Sequence, residues 1–214
     1  SNNDNKPVIT ANGQNYTFDA VLYATGRKPN TANIGLENTD ITTNERGAIV
    51  VNDTCESSVP GVYAVGDVNG GPQFTYISLD DFRIVFGALT GNGQYTLKDR
   101  KNIPYTTFLT PPLARVGLTE EDAINKGYAV KTKEMLVATM PRAHVNDYLK
   151  GAFKIVVDAE NDLILGATLY SQGAEELINL IKIAMDNNIP YTYLKNQIFT
   201  HPTMAENLND LCNF

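Results

Sequence analysis

Apolar and polar positions change period several times along the chain, and each change marks an element. Val8-Ile9-Thr10 and Tyr16-Thr17-Phe18 flank Asn12-Gly13, the dipeptide that best tolerates positive φ in a tight turn, so this stretch predicts a β-hairpin. The second arm runs on through Ala20-Val21-Leu22-Tyr23-Ala24. Such a nearly continuous apolar run suits a strand buried on both faces, as in a parallel sheet. It stops at Thr25-Gly26-Arg27 and the Pro29-Asn30 breaker. Residues 48–51 and 62–65 predict two more short strands, the second ending at Gly66-Asp67. A glycine-rich loop (Gly70, Gly71) leads into residues 76–89, where Ile77, Phe82, Val85, Phe86 and Leu89 fit a helix loosely, closed by Gly91-Asn92-Gly93.

Residues 94–103 are polar and basic (Lys98, Arg100, Lys101) and read as a linker. Beyond them the texture differs. Thr119 can cap a helix with Asp122 three residues on, and Gly127 can close it. Residues 153–157 and 163–170 flank 158–162, a hairpin signal. Residues 175–186 carry Leu177, Ile178, Ile181, Ala184 and Met185, an amphipathic helix with a wide apolar face. Strands and helices alternate here without a βαβ pattern, so this half reads as α+β with an antiparallel sheet. No internal repeat is present.

Composition narrows the class. The 214 residues are 43% hydrophobic and 19% charged, enough apolar material for a sizeable core, and 16 glycines with 10 prolines exclude collagen-like or low-complexity chains. A net charge of −7 argues against a nucleic-acid platform or an anionic-membrane binder. No apolar run approaches the ~18 residues of a membrane span, and no basic-plus-apolar leader opens the sequence. Cys55 and Cys212 lie too far apart in sequence for a redox C-x-x-C motif or a disulfide framework, which predicts a soluble protein of the reducing cytoplasm. The chain opens Ser-Asn-Asn and runs straight into strand-like sequence, the expectation being a fragment of something longer.

Three segments could carry chemistry. In the first, a buried strand delivers Gly66-Asp67 at its C-terminal end, where open α/β sheets bind ligands. The glycine admits close backbone approach and the carboxylate can accept hydrogen bonds from a polyol or ribose. A helix starting near Tyr76 would aim its N-terminus at an electron-rich ring edge. Alone, Gly-Asp reads first as an ordinary strand end with a turn aspartate. The second segment is Thr200-His201-Pro202-Thr203-Met204-Ala205-Glu206. Proline pre-set for the first helical position would put His201 at the cap and Glu206 in the opening turns. A carboxylate five residues on can then hold one imidazole nitrogen and leave the other as base. A capped helix with an acidic first turn explains the same residues. The third segment, Ala24-Thr25-Gly26-Arg27-Lys28-Pro29-Asn30, is a nucleotide-domain exit or a simple strand-to-loop turn. His144 follows Pro141-Arg142 on an apparent surface loop, both cysteines read as packing or surface thiols, and no metal-ligand spacing occurs.

Together, in this order, the three segments resemble the C-terminal half of the FAD-dependent pyridine nucleotide–disulfide oxidoreductases, the family of glutathione reductase, dihydrolipoamide dehydrogenase and mercuric reductase. Residues 24–30 resemble the end of that family's NAD(P) domain, and Thr54 to Asp67 its second FAD motif. Pro111-Pro112-Leu113-Ala114-Arg115-Val116-Gly117-Leu118-Thr119-Glu120 resembles the opening of its dimerisation domain, and His201-Pro202-Thr203-x-x-Glu206 its catalytic His–Glu pair. Gln73 to Asp81 and Gln197 to Pro202 look most like bacterial reductases linked to reactive-chlorine and hypothiocyanous-acid resistance. Cys212 stands alone where mercuric reductases carry a vicinal pair, and Phe199 stands where dihydrolipoamide dehydrogenases usually carry a second histidine.

The resemblance implies an α+β dimerisation domain of antiparallel sheet and helices over 103–214. Partial α/β nucleotide-binding segments would precede it, with 1–30 ending an NAD(P) domain and 31–102 belonging to an FAD domain. It implies His201 and Glu206 as the acid/base pair on a redox dithiol, and Gly66, Asp67, Phe74, Thr75, Tyr76 and Gly26 as cofactor-contacting residues. It further implies FAD and NAD(P)H as cofactors, a homodimer, and a small-molecule oxidant or disulfide as substrate. Neither a G-x-G-x-x-G loop nor a C-x-x-x-x-C pair occurs in these 214 residues, so the chain alone is expected to be inactive. Two alternatives remain: a non-enzymatic dimerisation module, and a hydrolase built on His201–Glu206 with a serine or cysteine nucleophile, although no G-x-S-x-G elbow accompanies the pair.

Overall fold

The computed structural model describes residues 2–3 and 6–214, and the chain divides into two compact units, Ser1–Lys98 and Asp99–Phe214. In the first unit, β1 (Asn2–Asn3), β2 (Lys6–Ala11) and β3 (Gln14–Thr17) form an antiparallel meander. Asn12 and Gly13 take φ of 51° and 76°, the left-handed pair that a two-residue hairpin turn needs, and Ala11 faces Gln14 across it. The hairpin expectation therefore holds.

The strand expected over residues 20–24 does not form. Leu22 is 90% and Tyr23 84% exposed. A strand needs a neighbouring ladder for its N–H and C=O groups, and among the described residues none pairs with this segment. Residues 48–51 and 62–65 are likewise reduced to single bridges, Thr43 with Ile49, Val51 with Ser57 and Glu56 with Tyr63. The Asn52 side-chain oxygen accepts from the N–H groups of Thr54 and Glu56, so a local turn takes up the backbone donors that a longer ladder would use.

Helix α1 (Thr75–Thr90) ends at Gly91, whose φ of 69° closes it. Its inward stripe is Ile77, Asp81 and Ile84, while Phe82, Phe86 and Leu89, expected on the apolar face, are exposed. The inward face departs from the apolar stripe because the deciding contact is polar: Asp81 turns inward to bind the chain before the helix.

The second unit realises the α+β expectation. Five antiparallel strands run in the order β4 (Tyr105–Thr107), β5 (Leu113–Gly117), β8 (Ile164–Tyr170), β7 (Ala152–Asp158), β6 (Val130–Leu136). The β7–β8 hairpin lies where the sequence predicts it. Thr119 caps α2 (Glu120–Asn125) in a reciprocal capping box with Asp122, and Gly127 follows with φ 85°. A short helix, α3 (Pro141–Val145), follows β6. Helix α4 (Ala174–Asp186) buries Leu177, Ile178, Ile181, Ala184 and Met185 and lies against β5 and β8.

Phe153, Ile155 and Val157 alternate into the core from β7, joined by Val116 and Leu169. Each such side chain contributes roughly 1.5–3 kcal/mol on burial. At Gly166 a Cβ would stand 2.1 Å from the Leu118 carbonyl oxygen, so only glycine fits the crossing. Two short helices close the chain, α5 (Tyr191–Asn196) and α6 (Asn207–Leu211), with Leu208, Leu211 and Cys212 fully buried.

The Asp158 carboxylate organises the β7–β8 turn, accepting from Asn161 Nδ2 at 2.8 Å and from the Glu160 N–H at 2.9 Å. The Asn161 bond, then the Glu160 N–H, holds this carboxyl below the ordinary aspartate range. A depressed folded-state value stabilises the fold above the unfolded aspartate pKa of about 3.9 and is lost as pH falls through the folded value. Asp158→Ala should therefore unfold at lower urea than the parent chain at pH 7, with the gap closing as the pH is lowered below that point. An equal gap at every pH would contradict this role.

Candidate functional site

Two constellations stand out, one in each unit. In the first, residues 66–69 form a single 3-10 turn. Gly66, with φ 71°, packs so closely on Ser78 that a Cβ would lie 2.6 Å from its Oγ. The buried Asp81 carboxylate accepts from the Gly66 N–H at 2.7 Å and from Asn69 Nδ2 at 2.9 Å. Asn69 in turn donates to the Ala64 carbonyl and accepts from the Gly71 N–H. The turn is thus fastened to α1 by one carboxylate, and it presents Asp67, whose side chain is half-exposed.

Arg27 Nε approaches Asp67 Oδ2 at 4.0 Å, so the Gly26-Arg27 turn and the Gly66-Asp67 turn share one locality. Gly26 itself has φ 99° and open space where a Cβ would stand. Helix α1 starts directly after Phe74 with no side-chain cap, and Phe74 and Tyr76 stack with centroids 5.0 Å apart. Partial burial pushes the Tyr76 phenol upward. Gly66, Asp67, Phe74, Thr75 and Tyr76 therefore lie along one turn–helix segment. A half-exposed carboxylate near a helix N-terminus matches the needs of hydroxyl groups and an electron-rich ring edge.

In the second unit His201 Nδ1 lies 2.7 Å from Glu206 Oε2, and the Thr203 N–H donates to Glu206 Oε1 at 3.2 Å. Both carboxylate oxygens are engaged. The Glu206 side chain is 19% exposed and that of His201 68%, an inner carboxylate holding an outer imidazole. With Nδ1 committed, Nε2 is the ring nitrogen left for proton transfer.

The local path to this pair differs from expectation. Pro202 does not start a helix: residues 201–206 form turns, and α6 begins only at Asn207. The reciprocal pair is made instead by Thr203 and Glu206, since Thr203 Oγ1 accepts from the Glu206 N–H and Glu206 Oε1 from the Thr203 N–H. That is the capping-box pattern, and its Thr-x-x-Glu spacing was legible in the sequence. Asn207 and Asn209, which brace the turn and the segment before it, carried no motif, and Asp81 and Asn69 were likewise not singled out as positioning groups.

His144 sits on α3 rather than a loop, exposed, with Nε2 at 2.8 Å from the Ala138 carbonyl. Among the described residues no group of three or more His, Cys, Asp and Glu stands ready to hold a metal ion, and no helix is long and apolar enough to cross a membrane. Cys55 and Cys212 are both fully buried. Burial pushes the Cys212 thiol up to about 12, against a smaller opposing pull from Lys133, so Cys212 offers no thiolate to the hydrolase alternative.

Comparison with known proteins places the chain in a family. The model described as "Pyridine nucleotide-disulphide oxidoreductase, dimerisation domain" matches residues 103–212, and that described as "Pyridine nucleotide-disulphide oxidoreductase" matches residues 1–81. The chain belongs to the pyridine nucleotide–disulphide oxidoreductase family. Its relatives include the probable pyridine nucleotide-disulfide oxidoreductase RclA of Escherichia coli, 46% identical over 99% of this chain and 48% of the relative. A Staphylococcus aureus mercuric reductase is 37% identical over 94% of this chain and 37% of the relative. The solved structure of the HOCl-induced flavoprotein disulfide reductase RclA from Escherichia coli superposes with a TM-score of 0.94 at 45% identity, covering 98% of this chain and 48% of that one. The chain thus spans about half the length, or less, of the curated relatives it matches.

The burial of both thiols has a direct consequence. Native protein at pH 8 should leave Cys55 and Cys212 unreacted with an aromatic disulfide reagent over minutes, and denaturant should release both. Rapid native labelling of Cys212 would contradict its burial.

Proposed function

We propose that this chain forms the C-terminal half of an FAD- and NAD(P)H-dependent disulfide reductase that acts as a homodimer on a small-molecule oxidant or disulfide. In this reading residues 1–30 close the NAD(P) domain, 31–102 contribute to the FAD domain and 103–214 form the dimerisation domain. The observation that carries it is the 2.7 Å His201–Glu206 pair inside a segment that matches the dimerisation-domain model. The relatives' names speak for a reductase. The non-enzymatic module gains nothing from an assembled imidazole–carboxylate pair.

FAD, when bound, supplies the electron relay between NAD(P)H and a disulfide. The residues present fit such a group in part. Asp67 can accept from hydroxyl groups of the ribityl chain. The start of α1 at Phe74, Thr75 and Tyr76 offers a positive helix end, Gly66 lets the turn that bears Asp67 close on Ser78, and Gly26 leaves open space where a side chain would stand. In the dimerisation half, Glu206 orients His201 through Nδ1, while Nε2 takes and returns the proton of a dithiol. The dithiol itself lies outside these residues, which is why the chain alone is expected to be inactive.

In the longer protein His201→Ala should lower disulfide-coupled turnover by about 10²–10⁴-fold, the usual contribution of a general acid–base group. Reduction of an artificial dye by NAD(P)H, which needs no dithiol proton, should survive. Unchanged disulfide turnover would overturn the role of His201.

A further inference from the structure

The geometry points to Asn209 as a positioning residue for the His201–Glu206 pair, a role that rests on the function proposed above. The Asn209 side-chain amide donates to three backbone carbonyls: Leu194 at 2.8 Å, Lys195 at 3.1 Å and Gln197 at 2.9 Å. Two amide hydrogens serving three acceptors means that one is shared. Leu194 and Lys195 belong to the last turn of α5, where carbonyls have no partner within the helix. Gln197 begins the segment that leads to His201. The Asn209 backbone N–H donates to the Glu206 carbonyl at 3.0 Å.

One residue therefore joins the two sides of the pair. Its side chain holds the strand-like approach to His201, and its backbone holds the turn that bears Glu206. The approach needs such a tie. Ile198 is almost fully exposed, and among residues 197–201 only Phe199 packs against the core. Asn207 braces the opposite side, donating from Nδ2 to the carbonyls of Thr203 and Met204. Without Asn209, the Lys195 and Gln197 carbonyls would need water while Leu194 keeps only the Gln197 N–H, and the His201 backbone would be free to move relative to Glu206.

The test uses the fact that the chain holds only two histidines. Glu206 at Nδ1 selects the Nδ1–H tautomer of neutral His201, whereas the Ala138 carbonyl at Nε2 selects the Nε2–H tautomer of His144. Imidazole ¹⁵N NMR on the 214-residue chain should show these opposite tautomers. Asn209→Ala should lower the Nδ1–H population of His201 by about two-fold or more, with His144 unmoved. Asn209→Ser, which keeps one donor, should fall between and remains readable should the alanine variant not fold.

An unshifted His201 tautomer in a folded variant would overturn the proposal, because a merely structural cap on α5 loosens the fold without retuning the ring. In the longer protein Asn209→Ala should cut kcat for disulfide turnover by about 10-fold with the KM for NAD(P)H unchanged. A tautomer shift beside a His201→Ala enzyme of full activity would uphold the positioning and sink the redox reading instead.

Discussion

The second unit depends on the burial of its own C-terminal end. Leu208, Leu211 and Cys212 have no exposed surface and pack against β6 and β7. Met204 and Ala205 add contact just before them, and Phe199 does so on the other side of the histidine. This apolar anchoring fixes both ends of a short segment whose middle stays in water. His201 is therefore held without being buried, the combination a proton-transfer group needs: a fixed ring with one nitrogen reachable. The carboxylate partner comes from the same turn, so no distant element has to move for the pair to assemble.

The first unit shows the opposite economy. The elements that form among the described residues are a three-stranded meander, single bridges, short 3-10 turns and one long helix. Side-chain hydrogen bonds do most of the local fastening, through Asn52 in one turn and through Asn69 and Asp81 in another. A buried carboxylate is stabilised there by the N–H groups it accepts from, and it fixes the backbone around Asp67 without contributing hydrophobic energy. Leu22, Tyr23, Phe82 and Phe86 stay exposed in this unit.

What could be read from the sequence follows from the range of the interaction responsible. The Asn12-Gly13 turn, the Thr119–Asp122 capping box, the β7–β8 hairpin and the apolar face of α4 are local, written within a few residues, and each appears where its pattern indicates. Residues 20–24 carry a strand's composition, but pairing is non-local and the ladder is missing. The inward face of α1 was chosen by Asp81, fifteen residues from the Gly66 N–H it binds, and polarity alone pointed that residue outward. At the His–Glu pair the spacing was legible but the local geometry was not, because Thr203 rather than Pro202 organises the turn. Asn209 left no signal, since its partners are backbone carbonyls, which every residue has.

The most direct measurement is residue-resolved hydrogen exchange on the native chain, comparing the Leu208 and Cys212 amides with those of the β7–β8 ladder. Both donate within the C-terminal turn and helix, to the Ala205 and Leu208 carbonyls. If apolar burial pins this segment to the sheet, they exchange only through the same cooperative opening as Phe153, Ile155 and Leu169, with matching free energies. Exchange of Leu208 and Cys212 orders of magnitude faster than the ladder would mean that the histidine-bearing turn detaches by itself, and the account of a pair fixed by the fold would fail.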